Sequence, residues 1–201
     1  MKAAPFSFLV VTALLLSGCM TGPRPETRSF LLDPGQPPKM ESLATGATAS
    51  VTFVDVGAPF SSPGFVYQLS ADRWEVDPYN QFLVSPADMF TGILRQWIRE
   101  SGLYRSIALP DEGGGQMFVI DCDVTGLCAD FQDRTKPRAI LRMEVQVFRR
   151  TPNGRELVLD RTFDQSISFE DRRPQALVDA WNEALRLNLE ALLGALAAKA
   201  R

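Results

Sequence analysis

The chain has 201 residues, a formal net charge of −3 and no histidine. Without imidazole, neither a Ser-His-Asp nor a Cys-His site can be built within it, and the usual general base and commonest metal ligand are both missing. No cluster of Lys or Arg stands out against the slightly acidic balance, which argues against a nucleic-acid partner, and the 45% hydrophobic share is that of a chain able to build a core.

Lys2 gives the chain a positive start, and residues 6–16 form an apolar stretch broken only by Ser7 and Thr12. That stretch is shorter than the roughly 20 apolar residues of a membrane-spanning helix and reads as the core of an export signal. Leu16-Ser17-Gly18-Cys19 follows. A plain secretory cleavage is compatible with the small residues Ser17 and Gly18, but the four residues together resemble the lipobox of bacterial lipoproteins. The resemblance implies a diacylglycerol on the Cys19 thiol, cleavage before Cys19 and acylation of the new amine by a palmitate-type chain. Two or three such chains, at about 0.8 kcal/mol per buried CH₂, hold a protein firmly on a bilayer. Met20 stands where an Asp would be the typical retention signal of the inner membrane, so the resemblance implies the periplasmic face of the outer membrane.

Removing the first 18 residues leaves 183, enough for one domain. The expected organisation is a signal peptide over 1–18, a lipidated Cys19 with a Pro-rich tether over 19–49, and a single domain over 50–201. Pro23, Pro25, Pro34, Pro37 and Pro38 mark the tether, in which Ser29-Phe30-Leu31-Leu32 is a candidate early strand. Residues 51–56 are rich in β-branched side chains and predict a strand. A loop with Pro59, Pro63 and Gly64 follows, then short strands over 65–69 and 73–76, and Asp77-Pro78-Tyr79-Asn80 as a turn or loop.

Ser85, Pro86 and Asp88 are the N-cap, first residue and third residue of a helix. Met89, Phe90, Ile93, Leu94, Trp97 and Ile98 give it one apolar face, and Gly102 ends it as a left-handed cap with Leu103 folding back. A short strand over 105–109 precedes the loop Asp111-Glu112-Gly113-Gly114-Gly115. That loop lacks the lysine and the following helix of a phosphate-binding loop.

From Phe118 to Val124 the even positions are apolar, and after Gly126 the odd positions take over, which reads as a β-bulge. Residues 139–147 alternate cleanly, Pro152-Asn153-Gly154 turns the chain, and a return strand runs over about 156–169. The last element is a helix over 174–199, with Leu177, Ala180, Trp181, Ala184, Leu185, Leu192 and Leu196 inward and Leu187, Leu189 and Leu193 widening its apolar surface. One-sided alternation predicts antiparallel pairing. The expected fold class is α+β, a twisted, mainly antiparallel sheet with two main helices packed on it.

Besides Cys19 the chain has Cys122 and Cys128. On one extended strand they stand about 20 Å apart, whereas a disulfide needs Cα atoms within about 7 Å. They bridge only if the chain folds back near Gly126, and are otherwise buried free thiols. Two cysteines without histidine make no zinc site, so no metal is expected.

The order of features resembles a family. A lipobox and a Pro-rich spacer are followed by Tyr67-Gln68-Leu69-Ser70, a stretch with Trp74, and a helix opened by Ser85-Pro86-Ala87-Asp88-Met89 and closed by Glu100-Ser101-Gly102-Leu103-Tyr104. Together, over most of residues 28–196, they are similar to the ABC-type transport auxiliary lipoprotein family, which includes PqiC-like outer-membrane lipoproteins. The resemblance implies a non-enzymatic subunit without cofactor beyond the lipid on Cys19. Its implied partners are a mammalian-cell-entry (MCE) protein bridging the periplasm and inner-membrane transporter components. Lipid transport between the membranes is the implied process, and a homo-oligomeric ring the implied assembly.

A lipobox, a tether and a small α+β domain suit another envelope assembly lipoprotein equally, such as a secretion or cell-wall synthase accessory. An enzyme would need carboxylate pairs, for which Asp121 with Asp123 or Asp130 with Asp133 are the candidates; solvated surface charge is the plainer reading of both. Phe60, Trp74, Tyr79 and Phe82 are candidate partner contacts, because aromatics on loops serve as interface anchors, unless they cover the sheet edge or the first helix instead.

Overall fold

Alternating apolar residues make the three long strands of the protein. In the computed structural model, which describes residues 26–40, 46–108 and 117–199, these are β7 (Met117–Asp130), β8 (Arg138–Thr151) and β9 (Gly154–Ser168). The lipobox, Cys19 and the loop over 111–115 lie outside the described residues. Six shorter strands precede β7: β1 (Arg28–Phe30), β2 (Thr48–Val51), β3 (Asp55–Val56), β4 (Gly64–Gln68), β5 (Trp74–Phe82) and β6 (Ser106–Ile107). Two helices, α1 (Pro86–Ser101) and α2 (Pro174–Lys199), complete the fold.

β7 organises the sheet. One edge pairs antiparallel with β8 along its length, and β8 pairs antiparallel with β9. The other edge takes β2, β3 and β4 in succession, all parallel, at Ile120, Asp123 and Ala129 respectively. β5 lies antiparallel to β4, β1 parallel to β5 and β6 parallel to β2. The fold is therefore α+β on a mixed sheet, with antiparallel pairing in its longest ladders.

The predicted switch of face at Gly126 is a register shift between Val124 and Gly126. A Cβ on Gly126 would come within 3.2 Å of Arg142 Cβ, so the bulge and the close strand approach both favour glycine. The bulge does not reverse the chain. Cys122 stays opposite Val145 and Cys128 opposite Ile140 on the same two strands, and both cysteines are buried free thiols. The bridged alternative is thus overturned, because six residues of strand separate the sulfurs. Burial, with the charges of Asp123 and Asp130 respectively, pushes each thiol up to about 12.

The helices cover one face of the sheet. Ser85 Oγ accepts from the Asp88 amide and donates to the Asp88 carboxylate at 2.6 Å, so the N-terminus of α1 is capped as its sequence predicts. Gly102 at φ 74° closes it, and Leu103 is fully buried. In α2, Trp181 packs edge-on against Phe65 at 5.0 Å and tilted against Phe82 at 5.5 Å. Its indole N–H donates to the Ile140 carbonyl at 3.3 Å, and Asn188 Nδ2 donates to that of Leu141 at 3.2 Å. The indole N–H and the Asn188 amide N–H thereby find acceptors on β8, while Asn188 Oδ1 is buried without a hydrogen-bond partner.

Two expectations change. Residues 51–56 are not one strand: β2 stops at Val51, where the carbonyl accepts from Arg95 Nε and Nη2, and the Val54 amide donates to Thr91 Oγ1 at 2.9 Å. Side chains of α1 take over the backbone groups that a continuous ladder would use, and the chain steps from one part of β7 to the next. The Pro-rich segment is not a free tether throughout either. β1 joins the sheet, Leu32, Pro34 and Pro37 are buried, and the segment crosses both helices. The Asp33 amide donates to Asn182 Oδ1 at 2.8 Å, Trp97 Nε1 donates to the Gly35 carbonyl at 3.1 Å, and the Met40 amide donates to the Ser101 carbonyl at 2.8 Å. Prolines that read as a spacer instead fix an extended strap, for which little chain entropy is lost on docking.

Candidate contact surface on the β4–β5 hairpin

The four aromatics singled out from the sequence separate into two pairs. Phe82 is 2% exposed and its ring stands 4.8 Å from Phe65 and 5.5 Å from Trp181. It is core, and its expected role as a surface contact is overturned because β5 runs on through residues 77–80 and carries position 82 under α2. Phe60 is 9% exposed; it closes the 3-10 turn Ala58–Phe60 and packs into the apolar cluster, so it too covers the sheet and is no free anchor. Trp74 and Tyr79 remain at the surface, each 44% exposed, with Val76 between them at 56%.

The local sequence explains why these side chains stand out. Val66 pairs with Val76 and Gly64 with Gln81, so residues 77–80 of β5 face the single residue 65 of β4. The predicted Asp-Pro turn exists, but as a wide bulge inside a strand. Asp77 holds it: Oδ1 accepts from the amides of Tyr79 at 2.7 Å and Asn80 at 3.0 Å, while Oδ2 accepts from the Tyr67 hydroxyl at 2.6 Å and Asn80 Nδ2 at 2.7 Å. Burial pushes the Asp77 carboxyl up, but these donors outweigh it and hold the group below its ordinary value. Burial, and then the same contact, raises the Tyr67 hydroxyl. At the other end of β5, the Trp74 ring leans on Phe60 with centroids 6.2 Å apart. Val76 lies over Gly64, where an added Cβ would come within 2.5 Å of Val76 Cγ1.

The Asp130 and Asp133 carboxylates have structural occupations. Asp130 Oδ1 accepts from the Gln132 amide and Oδ2 from Arg138 at 2.6 Å, while Asp133 Oδ1 accepts from the amide and hydroxyl of Thr135. Each closes its own turn, and they do not share a site. Asp121 and Asp123 do lie on one face of β7, away from the helices, beside Gln146 and Glu144 of β8, with Asp55 next to Asp123. Burial and then the charges of Asp55, Glu144 and Asp121 raise the Asp123 carboxyl. Among the described residues no group of three or more acidic or cysteine side chains is arranged to hold a metal ion. No helix among them is long and apolar enough to cross a membrane.

What sequence reasoning missed here is Val76 and the supporting role of Asp77. The signal was available: Asp-Pro-x-Asn is a chain-reversal pattern, and placed between strand-forming residues it is also consistent with a bulge.

No family model matches the chain, and no curated protein matches it. Solved structures do. A Xanthomonas campestris protein of the family DUF330 superposes with a TM-score of 0.67 at 16% identity, over 87% of this chain and 94% of that one. An uncharacterized protein gives a TM-score of 0.55 at 15% identity, over 80% of this chain and 98% of that one. A hypothetical protein from Chlamydia trachomatis gives 0.50 at 11% identity, over 77% and 97%. At these identities the shared property is the fold, which this chain has in common with a DUF330 protein.

Proposed function

We propose that the chain is a lipoprotein subunit of an MCE/ABC-type envelope transport system, anchored through Cys19 to the periplasmic face of the outer membrane and acting without catalysis. In this reading it supports lipid movement between the membranes by docking to a periplasm-spanning MCE partner. The observation that carries the reading is the pairing of Leu16-Ser17-Gly18-Cys19 with a domain whose fold matches a DUF330 protein over nearly its whole length. The family resemblance of the motifs around Trp74, Ser85 and Gly102 supports it further. A lipid anchor suits a docking protein because confinement to a surface raises its effective concentration near partners.

The test is cross-linking in native membranes followed by purification of the chain. Co-recovery of an MCE-domain protein or a transporter subunit is expected; recovery of the chain without either would refute the proposal. Mass spectrometry of the mature N-terminus tests the anchor separately, with a triacylated or diacylated Cys19 as the expected product.

A further inference from the structure

We infer that the exposed apolar end of the β4–β5 hairpin, Trp74, Val76 and Tyr79, rests in the headgroup region of the membrane that holds Cys19. The inference depends on the lipoprotein reading above and adds to it a lipid-facing surface on the folded domain.

The topology places this surface at the anchored end. β1 runs parallel to β5, with Arg28 beside Asn80 and Phe30 beside Phe82. β1 thus lies beside the last three residues of β5, and because the two strands are parallel the chain before Arg28 approaches from the side of the bulge and of Val76 and Trp74, the latter six positions and at most about 20 Å further back. Cys19 precedes Arg28 by nine residues, a length of chain that can span at most about 30 Å. The strap that follows β1 is bound to both helices, so no further length can be drawn from it. An acylated Cys19 thus keeps the start of β5 within a few tens of ångströms of the bilayer.

The chemistry of the surface fits that neighbour. Trp and Tyr combine an apolar ring with a polar tip and favour the boundary between headgroups and acyl chains. Trp74 and Val76 share the face of β5 opposite Phe65, as their pairing with Gln68 and Val66 requires. They are held out by Phe60 and Gly64, and Tyr79 is fixed by the hydrogen-bonded bulge at Asp77. Little ordering is left to be done on contact, which favours a weak second attachment beside the acyl chains.

Tryptophan fluorescence tests this directly, because Trp97 and Trp181 are buried and Trp74 is the exposed indole. The full lipidated chain is reconstituted into phosphatidylethanolamine–phosphatidylglycerol vesicles with and without brominated acyl chains, after mass spectrometry of Cys19. The expected result is a blue-shifted Trp74 contribution that brominated lipid quenches and aqueous acrylamide does not. Trp74→Phe should abolish the bromine effect, and Val76→Ser with Tyr79→Ser should reduce it at unchanged melting temperature. Acylated protein whose Trp74 keeps full acrylamide quenching on vesicles overturns the inference alone. An unmodified Cys19 overturns the lipoprotein reading and this inference with it. Protection of Trp74 that depends on protein concentration and not on lipid assigns the surface to a second copy of the chain and overturns it as well.

Discussion

At the scale of single residues, Tyr79 and Phe82 stand three positions apart in one strand and should respond oppositely to truncation. Phe82 fills the space between Phe65 and Trp181, so Phe82→Ala is expected to cost about 3–5 kcal/mol through lost burial and a residual cavity. Tyr79→Ala, at an exposed position, should change stability by no more than about 0.5 kcal/mol. Urea unfolding midpoints of the two variants distinguish them. Asp77 adds a pH dependence. Its folded-state carboxyl lies below its ordinary value of 3.8, so its contribution is complete above the unfolded value and is lost as pH falls through the lower folded one. Asp130 is depressed in the same way, against the effect of burial, by the Gln132 amide and by Arg138. The wild type should therefore lose stability on acidification through several carboxylates, and Asp77→Asn should remove the part that Asp77 contributes. The difference between the two melting-temperature profiles below about pH 4 isolates the bulge; identical profiles would mean that Asp77 does not hold it.

At the scale of elements, the break between β2 and β3 depends on one hydroxyl. Thr91 Oγ1 accepts from the Val54 amide and donates to the Ala87 carbonyl at 2.7 Å. Thr91→Val keeps the shape but strands a buried N–H, with an expected loss of about 1–3 kcal/mol; Thr91→Ser keeps the acceptor and should lose much less. Chemical denaturation of the two variants checks this, and equal losses would assign the effect to packing. The same break shows where sequence reading stops. The helices were legible to the residue, because Ser85, Gly102 and a 3.6-residue periodicity are local signals. The Gly126 bulge was legible because alternation changes phase within one strand. The split at Thr52 was not, since the groups that cause it come from Thr91 and Arg95, some forty residues away. Likewise nothing local distinguishes Phe82 from Tyr79: their difference arises from the long bulge, which resets which side of β5 meets α2.

At the scale of the whole molecule, the segment before β2 decides where the domain begins. Its prolines resemble a spacer by composition, yet residues 28–40 add β1 to the exposed edge of β5, bury Leu32 and give the Trp97 indole its acceptor at Gly35. An unpaired β5 would also present a bare strand edge, which favours association between chains. A chain that begins after residue 45 should therefore lose stability, by about 1.5–3 kcal/mol for Leu32 and about 1–3 kcal/mol for the stranded indole N–H. Together these correspond to a fall in melting temperature of roughly 5–25 °C for a domain of this size. A chain that begins at Glu26 should melt like the full mature protein. Scanning calorimetry of both truncations is decisive, because a true tether would leave the two indistinguishable. A large difference would also fix the length of chain between the fold and Cys19 at no more than nine residues, and so set how far from its membrane the protein can reach a partner.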